Sequence, residues 1–171
     1  MLTLDPANIV SLESKKNVSF FKTSKTSKVE KLQLVHTNVW GLALMKSLRG
    51  SQYYVTFIND SKRKLWIYFL TNKYDLFFVF KRWKKEVDTE RGLKVKCFKS
   101  DNGGEYGSSP FKEFCLENGI RMIKIVPRAP EKISVAERMN RTLDEIVRCM
   151  TIQSGLPKVF WANAINTTTY P

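Results

Sequence analysis

The order of hydrophobic patterns along the chain predicts an α/β (α+β) fold, a mixed five-stranded sheet flanked by helices. Two observations carry that prediction. Three consecutive runs of strand character fill residues 31–70, and from residue 73 onward helical periodicity alternates with short apolar runs. Three strands in antiparallel meander followed by strands alternating with helices give a mixed sheet covered by helices. The size agrees: 171 residues, 43% hydrophobic and 26% charged, are enough for one globular domain with a real core.

Each element has its own local reason. Met1 to about Glu30 has weak periodicity and scattered lysines (Lys15, Lys16, Lys22, Lys25, Lys28), which reads as a basic, weakly ordered arm over residues 1–30. Lys31 to Val39 alternates as a strand does, and Trp40-Gly41 ends it. Gln52 to Ile58 is rich in Tyr, Val, Thr and Phe, and Lys64 to Leu70 is a third run of bulky residues. Asn59 to Arg63 makes the turn between them. From Lys73 to about Glu90 the period changes: Leu76, Phe80, Trp83 and Val87 recur at helical spacing and read as core. Gly92 stops that helix, and a fourth strand runs to Asp101. Pro110 opens a helix carrying Phe111, Phe114, Cys115 and Leu116 that ends at Asn118-Gly119. Ile120 to Val126 is the fifth strand. A long helix from about Lys132 to Ile152 turns Ala136, Met139, Leu143, Ile146, Val147 and Met150 inward, with Glu137, Arg141, Asp144 and Arg148 along a neighbouring face. Gly155-Leu156-Pro157 breaks it, and a further helix begins at Pro157. The expected division is an arm over 1–30, a core over 31–155 and the start of a truncated helix over 156–171.

Charge points to a partner. Lys plus Arg number 29 against 16 Asp plus Glu, a formal +13, with a pI near 9.8. A small domain this basic suits a polyanion, nucleic acid first, although solubility alone is the plainer explanation. Cys97, Cys115 and Cys149 form no Cys-x-x-Cys pair, and with His36 as the one histidine no four-ligand zinc cluster can be assembled. They read as reduced, partly buried thiols, which implies a nuclear or cytoplasmic setting. The longest apolar runs, Leu65 to Leu70 and Leu76 to Phe80, are too short to span a membrane, and no secretory leader is evident.

The chemistry concentrates in Ser100-Asp101-Asn102-Gly103-Gly104-Glu105-Tyr106. A strand delivers an aspartate to its carboxyl end, and two glycines let the backbone turn there. That arrangement suits a metal ligand or an acid/base, but taken alone the stretch fits an ordinary turn better. A second carboxylate, Glu137, lies in Val135-Ala136-Glu137-Arg138-Met139-Asn140-Arg141-Thr142, with 35 residues between it and Asp101.

Five ordered segments resemble the integrase core of copia-type LTR retrotransposon polyproteins. They are Leu34 to Gly41, Tyr54 to Asp60, Lys99 to Tyr106, Ala136 to Thr142 and Gly155 to Lys158, and the resemblance covers roughly residues 15–171. It implies a ribonuclease-H-like fold, DNA as partner, possible homo-oligomers, and Mg²⁺ or Mn²⁺ as cofactor. In that family three carboxylates hold two divalent ions for in-line attack on a phosphodiester. Asp101 and Glu137 match the second and third positions, as catalytic residues and metal ligands. At the first position the family's aspartate is replaced by Asn38. Asp60 is excluded as a substitute, at the far end of the first hairpin and on the order of 20 Å away, and Glu105 is a weak one. Lys99, Arg128, Lys132, Arg138 and Arg141 are the expected nucleic-acid-binding residues, with Lys62-Arg63-Lys64 at a turn.

Two further departures accompany Asn38. The segment before Glu137 reads Pro130-Glu131-Lys132-Ile133-Ser134, without the family's Asn-Gly pair, and no cysteine of a zinc module precedes Lys16. The implied reading is an integrase-like core of DNA-integration ancestry that binds nucleic acid and is catalytically impaired. An active metal-dependent polynucleotidyl transferase or endonuclease and a non-catalytic interaction domain are its rivals.

Overall fold

The computed structural model describes residues 33–91, 94–101, 103–125 and 135–169. The basic arm, the helix stop at Gly92, the segment Pro130–Ser134, and the binding candidates Arg128 and Lys132 lie outside the described residues. The elements run β1 (Leu34–Trp40), β2 (Tyr53–Asn59), β3 (Leu65–Leu70), α1 (Leu76–Arg91), β4 (Cys97–Ser100), α2 (Ser109–Glu117), β5 (Arg121–Lys124), α3 (Val135–Ser154) and α4 (Trp161–Thr169). This is the expected order, a five-stranded mixed sheet with flanking helices. Three short 3₁₀ turns among the described residues were not anticipated, and two of them displace helix starts: Lys73–Asp75 precedes α1 and Lys158–Phe160 precedes α4. Both α-helices therefore begin three or four residues later than their periodicity suggested, because a tighter turn at the amino end satisfies backbone groups that the α-helix leaves open.

The strands lie in the order β3-β2-β1-β4-β5. β1 pairs antiparallel with β2, with Asn38 opposite Thr56 and Val35 opposite Asn59, and β2 pairs antiparallel with β3. β4 lies parallel to β1, with His36 beside Lys99, and β5 is parallel to β4. The first three strands are joined by short connections, as antiparallel neighbours can be. The parallel additions each need a helical crossover, which α1 and α2 supply.

Period-two alternation sorts the side chains onto two faces. Val35 and Val39 of β1, Val55 and Phe57 of β2, Trp66 and Leu70 of β3, and Phe98 of β4 face α1 and α2. There they meet Leu76, Val79, Phe80, Trp83 and Val87 of α1 and Phe111 and Cys115 of α2. The periodic positions read from α1 are all buried. The rings interlock closely: Phe57 stacks on Trp83 at 4.4 Å and Phe80 on Phe111 at 4.8 Å. On the opposite face Tyr54, Ile58, Leu65 and Ile67 pack under α3 and α4 through Ala136, Leu143, Val147, Trp161 and Ile165. α4 thus contributes to the second core layer.

Two expectations about individual positions change. Leu116 of α2 is largely exposed, because it falls one residue past the buried Phe111–Cys115 stripe on the helix surface. Cys149 is exposed while Cys97 and Cys115 are buried. Gly155, at φ +63, ends α3 in the left-handed conformation that glycine takes without strain. No helix among the described residues is long and apolar enough to cross a membrane.

Candidate active site and nucleic-acid interface

The site is built at the carboxyl ends of β1 and β4. Continuing the parallel register from His36 and Lys99 by two residues brings Asn38 beside Asp101. Asn38 is 9% exposed and lies on the α3 side of the sheet, since its alternate neighbours Val35 and Val39 face the other way. α3 packs across β1 and β2 and carries Glu137 in its first turn, half-buried.

The Asp101 carboxyl is raised above its ordinary value. Burial is the main cause, and the nearby charges of Glu105 and Glu137 add to it; a hydrogen bond from the Gly103 amide and the charge of Lys73 oppose it. The direction reflects three carboxylates gathered in one partly desolvated region, where a negative charge is costly. The Gly103 N–H donates to Asp101 Oδ1 at 3.1 Å. The Glu105 carboxyl group lies close over Gly103, where a Cβ would come within 2.7 Å of its carboxyl carbon and would push that flexible side chain aside. Glu105 therefore folds back over the glycine that holds Asp101. Beneath this loop, Tyr106 is fully buried in the aromatic core, and its hydroxyl shares a 3.0 Å hydrogen bond with Thr37 Oγ1.

Around Asn38 lies a buried polar network. Thr56 Oγ1 donates to Asn140 Oδ1 at 2.9 Å, and the Tyr54 hydroxyl donates to the Asn140 carbonyl at 3.3 Å. Asn140 is 4% exposed, and its Nδ2 has no partner among the described residues. This network ties the turn of α3 that follows Glu137 to the strand pair carrying Asn38, and so sets how Glu137 approaches the sheet. An interior asparagine in the helix was not anticipated. Its signal was present in the sequence, since it lies three residues after Glu137 and so on the same helical face.

The hairpin register excludes Asp60 from the site, as expected, but at a shorter distance. The Asp60 amide bonds to the Leu34 carbonyl, four residues along β1 from Asn38. That is about 13 Å at ~3.3 Å per residue, rather than about 20 Å. Asp60 has another partner: the buried His36 Nε2 lies 2.8 Å from its Oδ1. Burial lowers the His36 pKa, with Lys99 and Arg63 adding to the effect and the Asp60 interaction opposing it.

Among the basic candidates, Lys99 is half-buried on β4, and Arg138 and Arg141 are exposed on α3. Lys62-Arg63-Lys64 sits at the other end of the sheet, in the β2–β3 turn, where Lys64 Nζ lies 4.6 Å over the Trp66 ring. Lys73 was missed, because 27 residues of sequence separate it from Asp101 while the fold brings its charge within reach of that carboxyl. Among the described residues no group of three or more His, Cys, Asp or Glu is placed to hold a metal ion.

The fold has known counterparts. The fold matches solved integrase cores, with two neighbours at 15% identity. The human T-cell lymphotropic virus 2 integrase catalytic core domain, in complex with magnesium and in a trimeric form, superposes with a TM-score of 0.54 over 82% of this chain and 84% of that one. The simian T-cell lymphotropic virus intasome, in complex with PP2A regulatory subunit B56 gamma, gives 0.61 over 82% of this chain and 48% of that one. By sequence the chain is 44% identical, over 98% of its length, to the retrovirus-related Pol polyprotein from transposon TNT 1-94 of Nicotiana tabacum. No family model matches the chain. It spans 13% of the length of that tobacco relative. Over nearly its whole length the chain is thus similar to a stretch of the retrovirus-related transposon polyproteins, and that stretch has the fold of an integrase core.

Proposed function

We propose that this segment is a copia-type, DNA-binding integrase core whose two-metal chemistry is impaired at Asn38. The observation that carries the reading is the meeting of Asn38, Asp101 and Glu137 at the carboxyl ends of β1 and β4, in a chain of this sequence kinship. Asp101 and Glu137 are the proposed metal ligands and, with position 38, the catalytic set. Two dications bring four positive charges, and two such ions would be the means of stabilising attacking and leaving oxygens. Asn38 offers a neutral carbonyl oxygen and cannot bridge cations as a carboxylate does, so the set does not fit two ions.

DNA is the proposed partner, engaged through phosphates by Lys99, Arg138 and Arg141, with Arg128 and Lys132 as further candidates and Lys73 added from the fold. The formal +13 supports this. Nuclear residence and assembly into multimers go with the reading. Duplex binding measured by fluorescence anisotropy across a salt series tests it. Displacement of counterions at Z phosphates gives log K falling against log salt with a slope of about −0.9Z. A flat dependence, or no binding at low salt, removes DNA as partner. Strand transfer by the unmodified protein in Mg²⁺ or Mn²⁺ would instead favour the active-enzyme reading.

A further inference from the structure

The connection from β1 to β2 is the most apolar exposed segment in the described structure. Leu42 is 62% exposed, Leu44 93%, Met45 49% and Leu48 57%. Loops that show apolar side chains are usually mobile and pay little for it, but this one is fastened. The Ala43 amide bonds to the Gln52 carbonyl, Ser47 to Ser51, and Gly50 to Ser47. Ser47 Oγ accepts from the Ser51 amide. Trp161 Nε1, from α4, donates to the Met45 carbonyl at 3.0 Å. The loop is therefore a preformed projection that holds leucines in water.

Its place and charge indicate the occupant. It leaves β1 at Trp40, two residues beyond Asn38, so it stands at the same end of the sheet as Asp101 and Glu137. Residues 41–52 contain Lys46 and Arg49 and no acidic residue. Two copies of this cationic loop would repel one another, so at this surface charge favours a polyanion over a second copy. Apolar side chains flanked by cations, on a rigid projection, match the way proteins wedge between base steps: the cations hold the backbone while the apolar group replaces lost stacking.

We propose that the β1–β2 loop is a duplex-DNA wedge, with Leu44 at its tip, Leu42 and Leu48 supporting it, and Lys46 and Arg49 on the flanking phosphates. It opens or kinks base steps beside the carboxylate site. This rests on the DNA-binding reading above and adds a surface and a mode of engagement that the carboxylates and α3 cations do not supply.

The test uses the whole chain and a short duplex carrying 2-aminopurine at successive positions, whose fluorescence rises when a base unstacks. Leu42→Ser/Leu44→Ser/Leu48→Ser is expected to bind about tenfold or more weakly, as loss of well-buried leucine contacts implies. Its salt slope should stay unchanged, and the 2-aminopurine rise seen with the unmodified protein should disappear. Lys46→Ala/Arg49→Ala should instead shallow the slope. Thermal unfolding reports whether the triple variant folds; Leu44→Ser alone, at a nearly fully exposed position, provides the same readout if it does not. Equal binding and an equal 2-aminopurine signal in these variants overturn the wedge while leaving DNA binding intact. Absence of duplex binding by the unmodified protein removes both. A dimer by sedimentation that the triple variant dissolves, with DNA binding unchanged, reassigns the loop to a contact between copies and also overturns the wedge.

Discussion

The two faces of the sheet are built from the same strands and solve different problems. Toward α1 and α2 lies an aromatic layer, where Phe57, Phe80, Trp83, Phe98 and Phe111 meet in stacked and tilted ring pairs. Its described polar interruption from β1 is Thr37, closed off by Tyr106. Toward α3 and α4 the alternate residues of the same strands are His36, Asn38, Tyr54 and Thr56. Tyr54 and Thr56 are hydrogen-bonded to Asn140, Thr56 reaches the Asn38 carbonyl as well, and His36 pairs separately with Asp60. One face supplies apolar burial, and the other spends packing density on polar groups that orient a helix. A sheet can do both because its side chains alternate, so neighbouring positions of one strand answer to different surroundings.

That contrast predicts unequal responses to mutation. The largest is expected on the aromatic face: Phe98→Ala should cost about 3–5 kcal/mol in urea unfolding, by loss of transfer energy and the cavity left behind. A cost below about 1 kcal/mol would show that this layer is looser than its ring contacts indicate. On the polar face, Asn140→Ala should cost about 1–3 kcal/mol, because it leaves the buried Thr56 hydroxyl with only its longer 3.4 Å bond to the Asn38 carbonyl. It should also displace Glu137, so any residual Mg²⁺ binding should weaken alongside.

Asn38→Asp sharpens the comparison further. Without metal the new carboxylate shares a buried region with Asp101 and Glu137, so the melting temperature should fall. With millimolar Mg²⁺ the loss should reverse, and calorimetric affinity should rise about tenfold or more over the unmodified protein, since a third negative charge joins the ligand set. Equal, weak binding by both proteins would show that Asn38 does not limit the site.

A pH response is expected from the same face. The His36 pKa in the folded chain lies below its ordinary 6.5, chiefly through burial. The unfolded chain therefore takes up the proton first, and stability is lost as pH falls from about 6.5 through the lowered folded value. In His36→Gln, that part of the decline should be missing from denaturant titrations between pH 7 and 5. The smallest effect belongs to the aromatic face's single hydroxyl pair. Tyr106→Phe should cost about 1 kcal/mol, because Thr37 loses a buried partner while the ring stays packed.

Much of this was legible in the residues. The element order follows from local periodicity: alternation through β1 to β3, then Leu76, Phe80, Trp83 and Val87 at helical spacing. Asp101 and Glu137 stood out because a carboxylate at a strand end before paired glycines, and another on a long amphipathic helix, are marked by their immediate neighbours. Those signals are local because backbone propensity and side-chain period act over a few residues. What only the tertiary structure decided was proximity between distant segments. Hairpin register gave Asp60 to His36, parallel pairing set Asn38 beside Asp101, and helix packing buried Asn140 against Thr56. The fold carried Lys73 to the field of Asp101 and left Leu44 standing on a fastened loop. Charge and burial act through space, so their consequences depend on register and crossovers that no short window of sequence contains.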